Sequence, residues 1–347
     1  MLTLPALHAL RLAGAQSLTV LGSPVNWSFL RTAHTAPRVR DFSSSEWLGL
    51  FAAGVACGPA AQSTLAHAHT AVVYLSGDTS RTEKALKEAG VKRVLVADPP
   101  AVALVPSPCP LPEGEGQNKS SHNIPGRLEG CATNPQGEGE KTVLHAARRL
   151  LDPLAHFLGP GHAAAALAIR TVADDVFLAL DEAETVRALE RLGYDAVPDG
   201  GFVAIHPGSG GKAKCWPPER FARLAVKLAL QGFTPLVFFG PADENTKHEF
   251  EEHVPPGVSW ECVGSKPLRE VLALLSCARC YAGNDSGITH LAARACPTVA
   301  LFGPTDARIW SPLGKGVRIM RAPGGEMERL RVGEVAEAVS GLAQERQ

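Results

Sequence analysis

The sequence lacks a surplus of charge of either sign. Lysine and arginine number 34 against 35 aspartates and glutamates, a formal net charge of -1 at pH 7. That balance argues against a nucleic-acid binder, which would need a basic face, and no nucleic-acid partner is expected. Also absent is any run of about 18 apolar residues, so no membrane-spanning helix is expected. The apolar start, Met1–Gly14, has neither the basic leading segment nor the small-residue cleavage site of a signal peptide. Leu4, Leu7, His8 and Arg11 fall at helical spacing there and read as the end of an amphipathic helix. Eight cysteines supply only one C-x-x-C pair, Cys277 and Cys280. With no second pair and no clustered histidines, buried thiols in a reducing cytoplasm fit better than zinc or disulfides.

What is present is a chain of 347 residues, 45% hydrophobic and 20% charged. That suits a globular protein of two α/β domains at roughly 100–200 residues each. The charge is mildly uneven, near +3 over residues 1–170 and near -4 beyond. Such asymmetry would suit an N-terminal half that meets an anionic acceptor or membrane surface, or it is an ordinary solvated surface. Strand-like runs at Ser17–Leu21, Ala71–Leu75 and Val91–Ala97, with a helix over Thr79–Ala89, give the strand-helix alternation of a parallel sheet. From about residue 106 to 141 the chain is rich in Pro, Gly, Glu, Asn and Ser, and is read as a disordered insertion. Helical pattern resumes at Thr142–Leu158 and is broken at Gly159-Pro160-Gly161; Glu182–Leu192 reads as a further helix. The expected division is residues 1–175 and 176–347.

The second half alternates more regularly. Strands are expected at Phe202–Ile205, Pro235–Phe239, Val258–Val263, Cys280–Ala282, Thr298–Phe302 and Val317–Met320. Helices are expected at Pro217–Leu230, Asp243–His253, Leu268–Ala278 and Gly287–Ala295. A doubly wound sheet of this kind binds ligands beyond the carboxyl ends of its strands, and four loops there are rich in small and polar residues. The first carries His206, Ser209, Gly210, Gly211, Lys212, Lys214 and Trp216. Its glycines let backbone N–H groups approach an anion, and its lysines add positive charge. The second runs through Asn284, Asp285, Ser286 and Gly287 into a helix that carries His290, and free N–H groups at such a start suit a phosphate. Asp285 or Ser286 could instead be a plain helix cap, and His290 a packed core residue. Gly240, Asp243 and Glu244 follow a third strand, where an acid can hold ribose hydroxyls or simply favour a helix start. Pro304 and Thr305 follow a fourth. The glycine spacing fits neither a Walker A loop nor G-x-G-x-x-G, which argues against a nicotinamide enzyme.

These residues resemble glycosyltransferase family 9, the heptosyltransferases of lipopolysaccharide core synthesis. The resemblance lies in H-P-G-S-G-G-K-A-K-C-W-P at His206–Pro217, G-N-D-S-G-I-T-H-L-A-A at Gly283–Ala293, C-P-T-V-A-L-F-G-P-T-D at Cys296–Asp306 and W-S-P-L-G at Trp310–Gly314. T-L-P-A-L-H-A-L-R at Thr3–Arg11 resembles the family's first N-terminal helix. It implies a GT-B architecture, two Rossmann-like domains facing across a cleft, and an inverting, metal-independent transfer from a nucleotide-diphospho-sugar such as ADP-heptose to a lipopolysaccharide core. No cofactor is implied beyond the donor. The setting implied is cytoplasmic, with peripheral contact at the inner face of the cytoplasmic membrane. Lys214 matches the lysine on the donor phosphates, Asp285 the acid at the donor sugar, and Ser286 and Gly287 the phosphate-facing helix start. In the family a strand and a Gly-Asp loop precede the T-L-P-A-L helix, and that aspartate is the expected general base. Met1 stands two residues before Thr3, so the first strand and the base are expected to be missing and sheet edges to be exposed. Asp41 and Asp78 match no motif. The other reading is a sugar-nucleotide-binding protein of the same fold without transfer.

Overall fold

The computed structural model describes residues 4–31, 36–75, 78–96 and 145–346. The expected insertion over 106–141, the first residues of the Thr142–Leu158 helix and Ala97 lie outside the described residues. In the first part come α1 (Leu4–Leu12), β1 (Thr19–Leu21), β2 (Arg38–Arg40), α2 (Pro59–Ala66), β3 (Thr70–Val73), α3 (Ser80–Glu88) and β4 (Arg93–Val96). Then follow α4 (Ala146–Leu158), α5 (Pro160–Ala168), α6 (Glu182–Glu190), β5 (Phe202–His206), α7 (Pro218–Leu230), β6 (Thr234–Phe238), α8 (Glu244–Glu252) and β7 (Glu261–Val263). Last are α9 (Leu268–Cys277), β8 (Ala278–Asn284), α10 (Gly287–Ala295), β9 (Thr298–Phe302), α11 (Ala307–Trp310), β10 (Val317–Arg321) and α12 (Val332–Gln344).

The later strands form one six-stranded parallel sheet in the order β10-β9-β8-β5-β6-β7. The order reverses direction between β8 and β5, the switch point at which such sheets open a crevice. Alternation along the strands feeds two cores. Phe202, Ala204, Leu236 and Phe238 face α9 and α10 with Leu272, Leu275 and Leu291. Val203, Ile205, Val237, Val299 and Leu301 face the other way, onto Phe221, Leu224 and Leu228 of α7 and Val335 and Val339 of α12. Strands covered on both faces read as continuous apolar runs, which is why they were visible in the sequence.

The earlier strands are short. Among the described residues β1 pairs in parallel only with β2, and β3 only with β4. One helix serves both ladders. Leu4 and Leu7 of α1 join the core that holds Val20 and Val39, while Ala6 and Ala9 join Val72 and Leu95 beneath Leu151 and Leu154 of α4.

Several expectations are corrected by the packing. Gly159, with φ of 89°, does end α4, but Pro160 then opens α5 instead of continuing a break. Proline at a helix start forfeits no hydrogen bond and comes with φ already set. The strand expected at Cys280–Ala282 runs from Ala278 to Asn284, because β5 and β9 pair with it along that length. β7 is only Glu261–Val263, shorter than Val258–Val263. The six cysteines within the described residues are all free; Cys280 and Cys296 are buried, whereas Cys262 is exposed.

Candidate functional site

The chemistry gathers where the chain leaves β5 and β8, the two strands at the switch point. Beyond β5 the chain turns through Pro207–Gly211 into a short 3-10 turn at Lys212–Lys214. Gly208 is required there, since a Cβ at that position would collide with the Asp243 carboxylate. Beyond β8, Asp285 leads to Ser286, whose extended backbone caps α10. The first N–H groups of a helix have no partner within it, so the Gly287 start presents donors and a positive dipole end at the same edge.

Three polar side chains from two loops meet at Asp285. Lys214 Nζ lies 3.3 Å from Asp285 Oδ2, and Thr305 Oγ1 donates to the same oxygen at 2.9 Å. Ser209 Oγ donates to the Asp285 backbone carbonyl at 2.8 Å. The Lys214 side chain retains 34% exposure and Asp285 10%, so the lysine stands at the mouth of the site and the carboxylate at its floor. An anion arriving at the helix start would meet the lysine directly.

A second cluster lies beside the first. Asp243 Oδ2 accepts the Gly240 N–H at 2.7 Å and sits 3.3 Å from His206 Nε2. Burial pushes the Asp243 carboxyl upward, but the His206 and Gly240 contacts outweigh it and hold it below the usual carboxylate range. His206 Nδ1 is buried with no hydrogen-bond partner among the described residues. Glu244, at the start of α8, is exposed. Burial drives the His290 ring down to about 3, with Lys214 and His145 adding to the same direction, so it is a neutral imidazole at pH 7.

Two expected contacts fall elsewhere. Trp216 is fully buried; its backbone N–H donates to Asn284 Oδ1 and its indole N–H to the Leu330 carbonyl. Asn284 is fully buried too, and its Nδ2 donates to the Pro207 carbonyl at 2.7 Å. Both tie the first loop to the second and shape the site from behind. Gly210 and Lys212 lie exposed on the first loop, Gly211 half-buried beside Lys214, and Pro304 beside Thr305. Sequence reasoning missed what holds the far end of α10. Arg294, in its last turn, reaches Asp175 Oδ2 at 2.6 Å and the Ile169 carbonyl, while His8 Nε2 of α1 lies 2.9 Å from Asp175 Oδ1. No local pattern signals a triad drawn from positions so far apart. Among the described residues no group of three or more His, Cys, Asp or Glu side chains is placed to hold a metal ion.

A doubly wound parallel sheet with a lysine, a carboxylate and a helix start at its switch point defines a Rossmann-like domain. Residues 174–339 match the family model of glycosyltransferase family 9 (heptosyltransferase). Lipooligosaccharide heptosyltransferase 2 of Haemophilus influenzae is 31% identical over 158 residues, 44% of this chain and 45% of that protein. Lipopolysaccharide heptosyltransferase 2 of Escherichia coli K12 is 31% identical over 145 residues, 39% of this chain and 40% of that protein. The matches thus span about half the length of these relatives or less. Among solved structures, a family 9 glycosyl transferase of Veillonella parvula has a TM-score of 0.68 at 17% identity, over 99% of this chain and 93% of its own. An E. coli heptosyltransferase, WaaC, solved with ADP has a TM-score of 0.58 at 18% identity, over 100% and 95%. At these identities the structures bear on fold alone, and they show the GT-B architecture that the motifs implied.

Proposed function

We propose that the protein is an inverting, metal-independent glycosyltransferase that moves a heptose from ADP-heptose, or a related nucleotide sugar, to a lipopolysaccharide core or similar glycan. Residues 176–347 hold the donor and residues 1–175 face the acceptor. The observation that carries this reading is the meeting of Lys214, Asp285 and the start of α10 at the switch point of the sheet. In the reaction the acceptor hydroxyl attacks the anomeric carbon as the bond to the diphosphate breaks. Charge grows on the leaving diphosphate, and Lys214 with the Gly287 N–H would take it up. Asp285, turned toward the donor sugar once its lysine is engaged by phosphate, would hold a hydroxyl of that sugar. The reading needs no cofactor besides the donor. It places the protein in the cytoplasm, at the inner face of the membrane that bears the acceptor.

The acceptor proton must go to a base, a role that general catalysis can make worth about 10²–10⁴-fold. Asp41 and Asp78 are poorly suited. Each accepts hydrogen bonds from the serine two residues on, Ser43 and Ser80, and those bonds hold each carboxyl below the usual range. The second reading is a protein that binds a sugar nucleotide without transferring the sugar. Calorimetry with ADP and a transfer assay with ADP-heptose and a heptose-free core separate the two. ADP binding with product supports transfer; ADP binding without product selects the second reading; no ADP binding overturns both.

A further inference from the structure

We propose that the segment from Phe42 to Ala56 is a lipid-docking surface that seats the protein on an anionic bilayer. From Trp47 to Gly58 the chain reads W-L-G-L-F-A-A-G-V-A-C-G, without a charged, hydroxyl or amide side chain. Such a stretch would ordinarily be core, yet only part of it is. Trp47 and Leu50 are buried against Leu65, Val73 and Leu86, whereas Phe42 is 50%, Leu48 46%, Phe51 37% and Val55 43% exposed. The exposed four lie on one loop, and two of them touch. The Phe42 and Phe51 rings meet edge-on at 6.4 Å, and the Phe51 N–H bonds the Leu48 carbonyl at 2.9 Å. Gly49 lets the chain fold back, because a Cβ there would collide with the backbone of Ala56 and Cys57.

The loop is anchored from beneath. Thr82 Oγ1 of α3 donates to the Leu50 carbonyl at 3.1 Å, and Glu46 turns inward to accept the Ala60 and Ala61 N–H groups at the start of α2. Apolar side chains exposed together on one anchored loop suit a binding surface.

Charge and area select the occupant. Glu46 is turned into that cap, whereas Asp41 remains an exposed carboxylate that accepts from Ser43. Exposed arginines flank the segment: Arg38 and Arg40 on β2, separated from Phe42 by Asp41, and Arg81 on α3, where Lys84 pairs with Glu88 at 3.8 Å. A fully buried aromatic covers about 150–250 Å², so four half-covered side chains leave on the order of 300–400 Å². A stable protein interface buries roughly 800 Å² on each partner, so a second copy of this chain would be held poorly. Apolar side chains at a loop tip with arginines behind them match the headgroup boundary of an anionic leaflet. The proposal rests on the reading of a lipid-borne acceptor, but its test uses no sugar, so the two can fail separately.

The full chain is floated with vesicles of phosphatidylglycerol and phosphatidylethanolamine, and with phosphatidylcholine alone. Binding to the anionic vesicles is expected, falling with salt, with weak binding to the neutral ones. The Leu48→Ser, Phe51→Ser, Val55→Ser triple variant should partition at least tenfold less while its ADP calorimetry matches the parent. Phe51→Trp preserves the fold and reports depth, and brominated lipid should quench its added emission. Absence of parental binding, undiminished binding of the triple variant, or no quenching of Phe51→Trp would overturn the proposal. So would a dimer in sedimentation equilibrium that the triple variant dissolves.

Discussion

The central strands of the later six-stranded sheet are covered on both faces, while the four strands of the earlier half form two separate ladders of three or four residues each. Every residue of β5 and β9 is buried; β1 and β2 each show an exposed-intermediate-exposed pattern. A sheet fixed on both faces positions loops to a fraction of an ångström, as Lys214, Asp285 and Thr305 require. The ladders depend instead on helices, α1 above all, and leave apolar surface such as Leu48 and Phe51 outward. The two halves therefore differ in how firmly their loops are held.

The sharpest way to break the comparison is to cut the connection between the halves. Asp175 is fully buried between Arg294 of α10 and His8 of α1. Asp175→Ala leaves a buried guanidinium without its partner, at a cost of about 3–5 kcal/mol. Urea denaturation should show it, and a loss under about 1 kcal/mol would mean that the triad is well solvated. Acid gives the same answer without mutation. Burial pushes the Asp175 carboxyl up, but His8 and Arg294 outweigh it and leave it below the ordinary value. A carboxyl lowered in the folded state contributes its stability above the unfolded value of about 3.9, and loses it as pH falls through the folded one. The parent should thus weaken below about pH 4 more steeply than Asp175→Asn.

Next in size is the donor edge itself. Lys214→Ala should raise the dissociation constant for ADP, or lower turnover, by well over tenfold, the order expected for a charge-assisted contact of about 1.5–3 kcal/mol. Unchanged affinity with a verified nucleotide would remove the phosphate role. Thr305→Val should cost less, about three- to tenfold, since it deletes one hydrogen bond of roughly 1 kcal/mol. Thr305→Ser, which keeps the hydroxyl that bonds Asp285, should restore most of it. Failure of serine to rescue would show that the methyl group, not the hydroxyl, is what the site uses.

The placement of the candidate loops was legible because they lie in contiguous stretches after strongly apolar strands. His206–Pro217 and Gly283–His290 announced a strand, an anion loop and a helix start in order, and the sheet brought them together at β5 and β8. Trp216 and Asn284 were legible as members but not as to role. Only the packing shows that the indole points into the core and that the amide is consumed by Pro207 and Trp216. Other elements were illegible for a different reason. β2 is three residues, Arg-Val-Arg, too short for alternation to stand out, and it exists because Thr19–Leu21 lies beside it. The Asp175–Arg294 contact joins positions 119 residues apart. No periodicity carries such information.

The smallest expected effect tests the comparison most directly, because the chemistry of the change can be matched. Ile205 in β5 and Leu21 in β1 each lose one methylene on replacement by valine. Ile205 is fully buried between α7 and neighbouring strands, where close packing prevents the gap from collapsing. Ile205→Val should therefore cost about 0.5–1.5 kcal/mol. Leu21 is 36% exposed at the end of its ladder. Its removed methylene leaves water contact rather than a cavity, and valine suits a strand better than leucine does. Leu21→Val should stay within about 0.5 kcal/mol of the parent. Both are read from urea midpoints at constant slope, so that a change in the unfolded state is not mistaken for packing. Equal costs would mean that the short ladders are as tightly held as the six-stranded sheet, and the exposed apolar surface beside them would then need a cause other than sparse cover.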